Sequence, residues 1–215
     1  MSVLIQPSRR GFGGENFMRM MANDTAATPS RYDDICGPHI GNVMSRLDWA
    51  FGEAPVTISL CCPAGEPLAT GFAAPIRMRA PAQAQRGWHG INLSYAVHSQ
   101  HEGRGYGLAV SCLVIQEAES IWGARLQEDA FMNIQTRQGN GRSNSLMRLL
   151  TGDAEVEDAS FSVQLPSGER LDYSGSRVVW SKALAIAEDH LLNMPFLSEV
   201  SVDTAQHDAA EHPAG

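Results

Sequence analysis

The chain has little of the cysteine chemistry that marks zinc sites and disulfide scaffolds. Its 215 residues include 4 cysteines, namely Cys36, Cys61, Cys62 and Cys112, and no pair of them has the C-x-x-C spacing of a metal site. The adjacent pair would point to opposite faces of a strand, which disfavours a shared metal or a mutual bond. We therefore expect buried thiols in a reducing compartment, and we predict no metal.

The chain also lacks an excess of basic charge and any long hydrophobic run. It has 16 Lys and Arg against 24 Asp and Glu, a formal net charge of −8 and a pI near 5.3, which disfavours general nucleic-acid binding. No apolar run approaches the roughly 20 residues that cross a bilayer, so we predict no membrane association. The N-terminal residues have no apolar core of a signal peptide, and we expect a cytoplasmic protein.

Length and composition predict one mixed α/β domain. A content of 43% hydrophobic and 19% charged residues is typical of a globular chain long enough to bury a core. We predict a flexible arm over residues 1–15, a single domain over 16–197 and a disordered tail over 198–215. Helical spacing of apolar residues predicts two N-terminal helices, at 16–21 and 40–51.

Alternation of apolar and polar residues predicts several strands. From Val56 onward the pattern has period two, and the turn sequence PAGEP separates this strand from a partner over 68–73, which together indicate a hairpin. The strand INLSYAVH, over 91–98, then leads into a glycine-rich loop and a helix. The later predicted elements are a strand over 130–135, a helix over 143–150, a hairpin of 160–165 with 171–180, and a helix over 181–192. This order predicts a sheet that begins antiparallel and takes a parallel step across the helix after the loop.

The loop SQHEGRGYGLAV, residues 99–110, carries glycines at alternate positions just before a helix. Free backbone amides and the helix dipole attract phosphates there, and glycine lets a ligand approach the backbone. The chain lacks the G-x-x-x-x-G-K-[ST] of a P-loop, and a dinucleotide fingerprint fails at Leu108. A third pattern, Q-x-x-G-x-G, matches Gln100, Gly103 and Gly105. The loop is therefore predicted to cradle a pyrophosphate.

A strand, Q-x-x-G-x-G and a helix in this order resemble the acyl-CoA-binding motif of the GNAT superfamily of N-acetyltransferases. Downstream, Asn140, Ser143 and Leu146 reproduce the N-x-x-S-x-x-L pattern found at the start of the superfamily's next helix. The two motifs span residues 91–150 in the expected order, and in length the chain resembles the ribosomal-protein-alanine acetyltransferase-like subgroup. The resemblance implies an α+β fold with a mixed, mostly antiparallel twisted sheet flanked by helices. It places acyl-CoA at a splayed pair of parallel strands.

The resemblance also implies the reaction and the binding residues. Acetyl-CoA would be the co-substrate, and its acetyl group would pass directly to a primary amine, either the N-terminal α-amine of a peptide or a small amine, in a ternary complex. Backbone groups near Ala96 and Val97 would hold the pantetheine arm, and a strand amide would polarise the thioester carbonyl. The implied CoA-binding residues are Ala96, Val97, Gln100, Glu102, Gly103, Arg104, Gly105, Tyr106, Gly107, Asn140 and Ser143.

Two positions depart from the pattern of the superfamily: the helix of the second motif commonly ends with Gly-Phe, where this chain has Thr151-Gly152, and the residue after the leucine of that motif also differs. A tyrosine that serves as general acid often follows the leucine of the second motif, and here this residue is Met147. We expect Ser143 to protonate the departing thiolate instead; the alternative is that Ser143 only caps its helix. His98 is a candidate base because imidazole titrates near neutrality, and its alternative is a stacking or capping role. His89 and Glu169 are further candidates for the base.

The identity of the acceptor and two other functions stay open. An α-amine with a pKa of about 7.7–8.0 is neutral more often than a lysine at about 10.4, so the lack of an evident base favours an N-terminal or small amine. Met147 motivates an alternative, a non-catalytic acyl-CoA sensor or scaffold. The basic island of Arg77, Arg79 and Arg86 leaves acetylation of aminoacyl-tRNA open. The sequence also does not decide whether the chain forms a homodimer.

Overall fold

The computed structural model of the chain describes residues 4–8, 56–76, 88–164, 167–194 and 201–202. Both predicted N-terminal helices and the basic island lie outside the described residues. In the described part of the chain, no helix combines the length and the apolar character that a bilayer crossing requires.

Nine strands of the described segments form one sheet, and two of them have only two residues. They are β1 (Leu4–Ser8), β2 (Val56–Cys61), β3 (Pro67–Ile76), β4 (Trp88–Val97), β5 (Leu126–Arg137), β6 (Glu157–Asp158), β7 (Phe161–Gln164), β8 (Arg170–Val179) and β9 (Ser201–Val202). Their order across the sheet is β6-β8-β5-β4-β3-β2-β1-β9, and β7 also pairs with β8.

Antiparallel pairing dominates this sheet. The pairs β1–β2, β2–β3, β3–β4, β5–β8, β6–β8 and β7–β8 are antiparallel. Two pairs are parallel, β4–β5 near the centre and β1–β9 at one edge. The helix that follows the glycine loop connects the central parallel pair, as a crossover must. The predicted fold class, a mixed and mostly antiparallel sheet with helices on it, is confirmed.

Three α-helices pack on the described sheet. They are α1 (Tyr106–Trp122), α2 (Gly141–Thr151) and α3 (Trp180–Leu192). Helix α1 lies across β2, β3 and β4 and also contacts α3. Its apolar stripe buries Val110, Val114 and Trp122, and the Trp122 ring meets the Trp88 ring edge-on at 5.6 Å between centroids. The core therefore lies between α1 and the sheet, and the Trp122–Trp88 contact holds the end of α1 against the start of β4.

The termini differ from the sequence prediction. Leu4–Ser8, predicted as part of a flexible arm, is strand β1 and pairs with β2. Ser201 and Val202, predicted as part of a disordered tail, pair with β1 in parallel. The physical reason is that the outer edge of β2 presents backbone N–H and C=O groups, which even a short strand satisfies. The remaining residues of the predicted arm and tail lie outside the described segments.

The internal strands match the predictions in type and differ in length. The hairpin of β2 with β3 is confirmed, as are the hairpin of β7 with β8 and all three helices. Strand β5 runs from Leu126 to Arg137, well beyond the predicted 130–135. The residues Glu128 and Asp129 hid its first part, because they are exposed there and break the apolar pattern.

Candidate active site

Strands β4 and β5 separate at their carboxyl ends. Their parallel pairing ends at Leu93 and Ile134 among the described strands. Beyond that point, Ser94–Val97 continues on β3, whereas Gln135–Arg137 continues on β8. Since each strand keeps its outer neighbour, the backbone groups on the inner edges are left facing a gap. The predicted splayed pair is thus present at the end of β4 that leads into the glycine loop.

A cleft of about 1210 Å³ occupies this gap. Its walls are the ends of β4 and β5, the glycine loop, the first turn of α1 and the start of α2. Nine of the predicted site residues line it: Ala96, Val97, Glu102, Gly103, Gly105, Tyr106, Gly107, Asn140 and Ser143. Gln100, Arg104 and His98 do not belong to its lining. The two motifs, about forty residues apart in sequence, therefore meet in one cleft.

The glycine loop has a backbone that other residues rarely adopt. Gly103 and Gly105 have φ values of 73° and 81°, in the left-handed region where a side chain is strained. Gly105 is the N-cap of α1 and makes no side-chain cap bond. The first amides of α1 consequently have no helical acceptors, and they stand at the positive end of the helix dipole beside the cleft.

Gly107 is required for a different reason, the close approach of three elements. A Cβ at this position would lie 3.1 Å from Leu146 Cδ1 in α2, and 3.2 Å from both Tyr95 Cε2 and Val97 Cγ2 in β4. These distances are shorter than ordinary carbon–carbon contacts. The absence of a side chain therefore lets α1 start directly against β4 and α2, which narrows this end of the cleft.

The charged residues of the loop are partly neutralised by α2. Glu102 in the loop forms an ion pair with Arg142 at the start of α2, and both residues line the cleft. Arg142 is mostly exposed, so the pair is weak as a stabilising contact. The ion pair matters for the site because it places the Arg142 guanidinium next to the glycine loop. The sequence analysis did not single out Arg142, although it lies inside the second motif, NGRSNSL.

The N-cap of α2 is Asn140. Its Oδ1 accepts a hydrogen bond from the Ser143 amide at 3.1 Å. Asn144 supports the same turn by donating to the Asn140 carbonyl at 2.8 Å. The capping role that was the alternative for Ser143 thus belongs to Asn140, and the Ser143 hydroxyl is available for another contact.

That contact is with Tyr95 of β4. The Tyr95 hydroxyl donates to Ser143 Oγ at 2.8 Å, and both residues line the cleft. Burial raises the pKa of the Tyr95 phenol above its ordinary value of 10.0, and the hydrogen bond to Ser143 offsets part of that rise. Sequence reasoning missed Tyr95 because it alternates with Ile91, Leu93 and Val97 on the apolar face. The hydroxyl of a tyrosine on a buried face needs a polar partner, and this requirement could have indicated that Tyr95 contacts a polar residue.

His98 follows β4 and caps a short 3-10 turn, Ser99–His101. Its Nδ1 accepts from the Gln100 amide at 3.3 Å, which is the capping role predicted as its alternative. The Gln100 side chain is exposed. Neither His89 nor Glu169 lines the cleft.

Met147 lies in the core. It is 9% exposed and packs in the main hydrophobic cluster with residues such as Leu150. In the described segments, no group of three or more His, Cys, Asp or Glu side chains is arranged to hold a metal ion.

No protein-family model matches the chain, and no curated protein matches it either. Solved structures do match. The ribosomal-protein-alanine N-acetyltransferase of Brucella melitensis is 16% identical, with 80% of this chain and 98% of that chain covered and a TM-score of 0.55. The N-acetyltransferase of Staphylococcus aureus Mu50 is 14% identical, with 84% and 99% covered and a TM-score of 0.55. The GNAT phosphinothricin acetyltransferase of Sinorhizobium meliloti, in complex with acetyl-CoA, is 14% identical, with 82% and 88% covered and a TM-score of 0.54.

Proposed function

We propose that this chain, which has the fold of the GNAT N-acetyltransferases, transfers an acetyl group from acetyl-CoA to a primary amine. The acceptor would be the N-terminal α-amine of a peptide or a small amine. The observation that carries the proposal is the cleft between the separated ends of β4 and β5, with the uncapped N-terminus of α1 in its wall.

The cleft offers matched contacts for each part of acetyl-CoA. The first amides of α1, with the loop of Gly103 and Gly105, suit a pyrophosphate, and the Arg142 guanidinium adds positive charge beside them. The inner edge of β4 at Ala96 and Val97 suits the amides of a pantetheine arm, which would replace the missing strand partner. Arg104 and Gln100 would contribute at the outer side of the loop.

The reaction itself needs positioning more than strong acid–base groups. The neutral amine nitrogen attacks the thioester carbonyl carbon, so a C–N bond forms and the C–S bond breaks. The sulfur leaves as a thiolate and takes a proton from the Ser143 hydroxyl. The nitrogen loses one proton, which a water molecule relays to the Ser143 oxygen, so the serine returns to its starting state. A β4 amide would stabilise the developing oxyanion. Holding both substrates in one cleft supplies much of the rate.

The proposed acceptor follows from the groups around the cleft. Among the described residues, Glu102 is the carboxylate that lines it, and Glu102 is in the ion pair with Arg142. His98, the candidate base, accepts a hydrogen bond at Nδ1 from the Gln100 amide and lies outside the lining of the cleft. An amine that is already partly neutral needs the least help, which favours an α-amine over a lysine side chain. The cysteines of the described part form no disulfide, which supports a reducing, cytoplasmic location.

The same observations favour one second candidate, a non-catalytic acyl-CoA sensor or scaffold with this fold. Its basis is that Glu102, the carboxylate that lines the cleft, is held in an ion pair with Arg142, and that Met147 is buried at the position where the superfamily often has its acid. The two functions share the binding of acetyl-CoA and differ in turnover.

The test combines calorimetric binding of CoA and acetyl-CoA with a free-thiol assay on a panel of peptide and small amines. Gly105→Glu places a carboxylate and a strained backbone at the start of α1, and it should weaken CoA binding by about 100-fold or more, since close like charges cost several kcal/mol. Gly139→Glu adds the same charge in the turn before α2, outside the lining of the cleft, and should bind almost normally.

Each outcome decides between the candidates. Saturable binding with thiol release supports the transferase, and binding without release across the whole panel supports the sensor. A wild-type protein that binds no CoA contradicts both. If Gly105→Glu folds, as judged by circular dichroism, and binds CoA as the wild type does, the glycine loop is not the pyrophosphate site.

A further inference from the structure

Tyr95 and Ser143 connect opposite walls of the cleft. Tyr95 belongs to β4 and Ser143 to the first turn of α2, 48 residues later, and their hydroxyl oxygens are 2.8 Å apart. The Tyr95 ring lies close to Gly107 of α1, where a Cβ would come 3.2 Å from its Cε2. The phenol therefore has a fixed position, and its hydroxyl is aimed at Ser143.

The hydrogen bonds of Ser143 leave its own hydroxyl proton for the cleft. A serine hydroxyl has one proton to donate and two lone pairs to accept with. The Tyr95 hydroxyl fills one lone pair, and the Ser143 amide is already bound by Asn140. Since Tyr95 is the donor in this pair, the Ser143 proton points elsewhere. In the described residues Ser143 makes no further hydroxyl bond, and the open side is the cleft.

This orientation holds over the range of pH in which the protein would work. Burial keeps the pKa of the Tyr95 phenol above 10.0, so the phenol stays neutral and remains a donor at neutral pH. If Tyr95 were ionised it would accept from Ser143 instead, and the serine proton would turn away from the cleft.

We propose that Tyr95 is a positioning residue for acetyl transfer: by donating to Ser143 Oγ, it holds the Ser143 hydroxyl as a donor toward the sulfur of the departing CoA. Tyr95 itself transfers no proton and touches no substrate in this role. The inference rests on the proposed transferase function and names a residue that the sequence motifs did not include.

The test is a double-mutant cycle of Tyr95→Phe with Ser143→Ala, measured by thiol release. Tyr95→Phe keeps the ring and its packing, and it should lower kcat about 3- to 10-fold, the effect of one net hydrogen bond. The KM for acetyl-CoA should stay within about twofold, because the Tyr95 hydroxyl is bonded to Ser143 and the phenylalanine ring keeps the shape of the cleft wall. Ser143→Ala should lower kcat at least as much, and adding Tyr95→Phe to it should change kcat no further, because Tyr95 acts through Ser143.

Two controls separate orientation from packing. Ser143→Thr keeps a hydroxyl and should retain the sensitivity to Tyr95→Phe. Ser162→Ala removes a serine hydroxyl of β7 that lies outside the lining of the cleft, and its kcat should match the wild type.

The inference is overturned if Tyr95→Phe has the kcat of the wild type, or if it costs the same factor with and without the Ser143 hydroxyl. It is also overturned if the loss appears in KM alone. A wild-type protein that releases no thiol with any amine overturns the proposed function and this inference with it, whereas normal turnover with an unaffected Tyr95→Phe overturns the inference alone.

Discussion

A buried thiol in α1 makes the stability of the fold depend on alkaline pH. Cys112 is fully buried in the main core, with no exposed surface. Burial raises the pKa of its thiol from 9.0 to about 12, because a thiolate in apolar surroundings loses its hydration. Raising the pH from 9 to 12 therefore changes the stability of the fold through this thiol.

The sign follows from the two states of the protein. Above pH 9 the unfolded chain releases the Cys112 proton, whereas the folded chain retains it until about pH 12. The unfolded state then binds fewer protons, so the free energy of unfolding falls as pH rises. The stability that comes from the protonated Cys112 thiol is fully present below pH 9. Each pH unit removes about 1.4 kcal/mol, which amounts to about 2 kcal/mol at pH 10.5 and about 4 kcal/mol at pH 12.

The measurement is urea unfolding of the wild type and of Cys112→Ala at pH 8 and pH 10.5. The variant begins less stable because it leaves a small cavity, but its free energy of unfolding should fall by about 2 kcal/mol less between the two pH values. Other groups that titrate in this range, including Tyr95, are present in both proteins and cancel in the difference. An equal fall in the two proteins would refute the assignment of alkaline sensitivity to Cys112.

Two further substitutions test contacts that hold the helices. Trp180 Nε1 of α3 donates to Glu119 Oε2 of α1 at 2.6 Å. Trp180→Phe should therefore lower the free energy of unfolding by about 2–3 kcal/mol. A loss no greater than that of a substitution at an exposed position would contradict this role. Asn140→Ala removes the N-cap of α2 and should lower the free energy of unfolding by about 1 kcal/mol in a urea assay. Asn140→Asp keeps the acceptor oxygen and should lower it little. Equal losses in the two variants would show that the cap bond to the Ser143 amide does not stabilise α2.

Local patterns were enough to predict the elements around the cleft. The period-two run into the glycine loop predicted the end of β4, and the helical spacing after it predicted α1. These signals work because the residues involved are buried against one another within a short stretch of chain. The same reasoning brought Asn140 and Ser143 to the cleft, through the order of the motifs rather than through any contact visible in the sequence.

Contacts between segments that are distant in sequence could not be predicted from local patterns. Strand β1 pairs with a strand about fifty residues later, and a five-residue edge strand has too short a pattern to signal that pairing. Alternation assigned Tyr95 to the apolar face, which is correct for its ring. Alternation does not reveal that the Tyr95 hydroxyl donates a hydrogen bond to Ser143 Oγ. The N-cap of α2 was uncertain for the same reason, since Asn140 and Ser143 are both good capping residues.

The position of Tyr95 bears on the choice between transferase and sensor. Met147 follows Ser143 by one helical turn, on the same face of α2, and it packs into the core. A phenol is nevertheless delivered to that face, from β4, where its hydroxyl meets Ser143. In the proposed mechanism, Ser143, oriented by Tyr95, supplies the hydroxyl donor for the thiolate, so Met147 at the position of the superfamily's tyrosine does not by itself argue against turnover. Since that replacement was a main reason to consider a non-catalytic protein, the Tyr95–Ser143 pair favours the transferase, and the double-mutant cycle at these two positions decides whether the pair serves turnover.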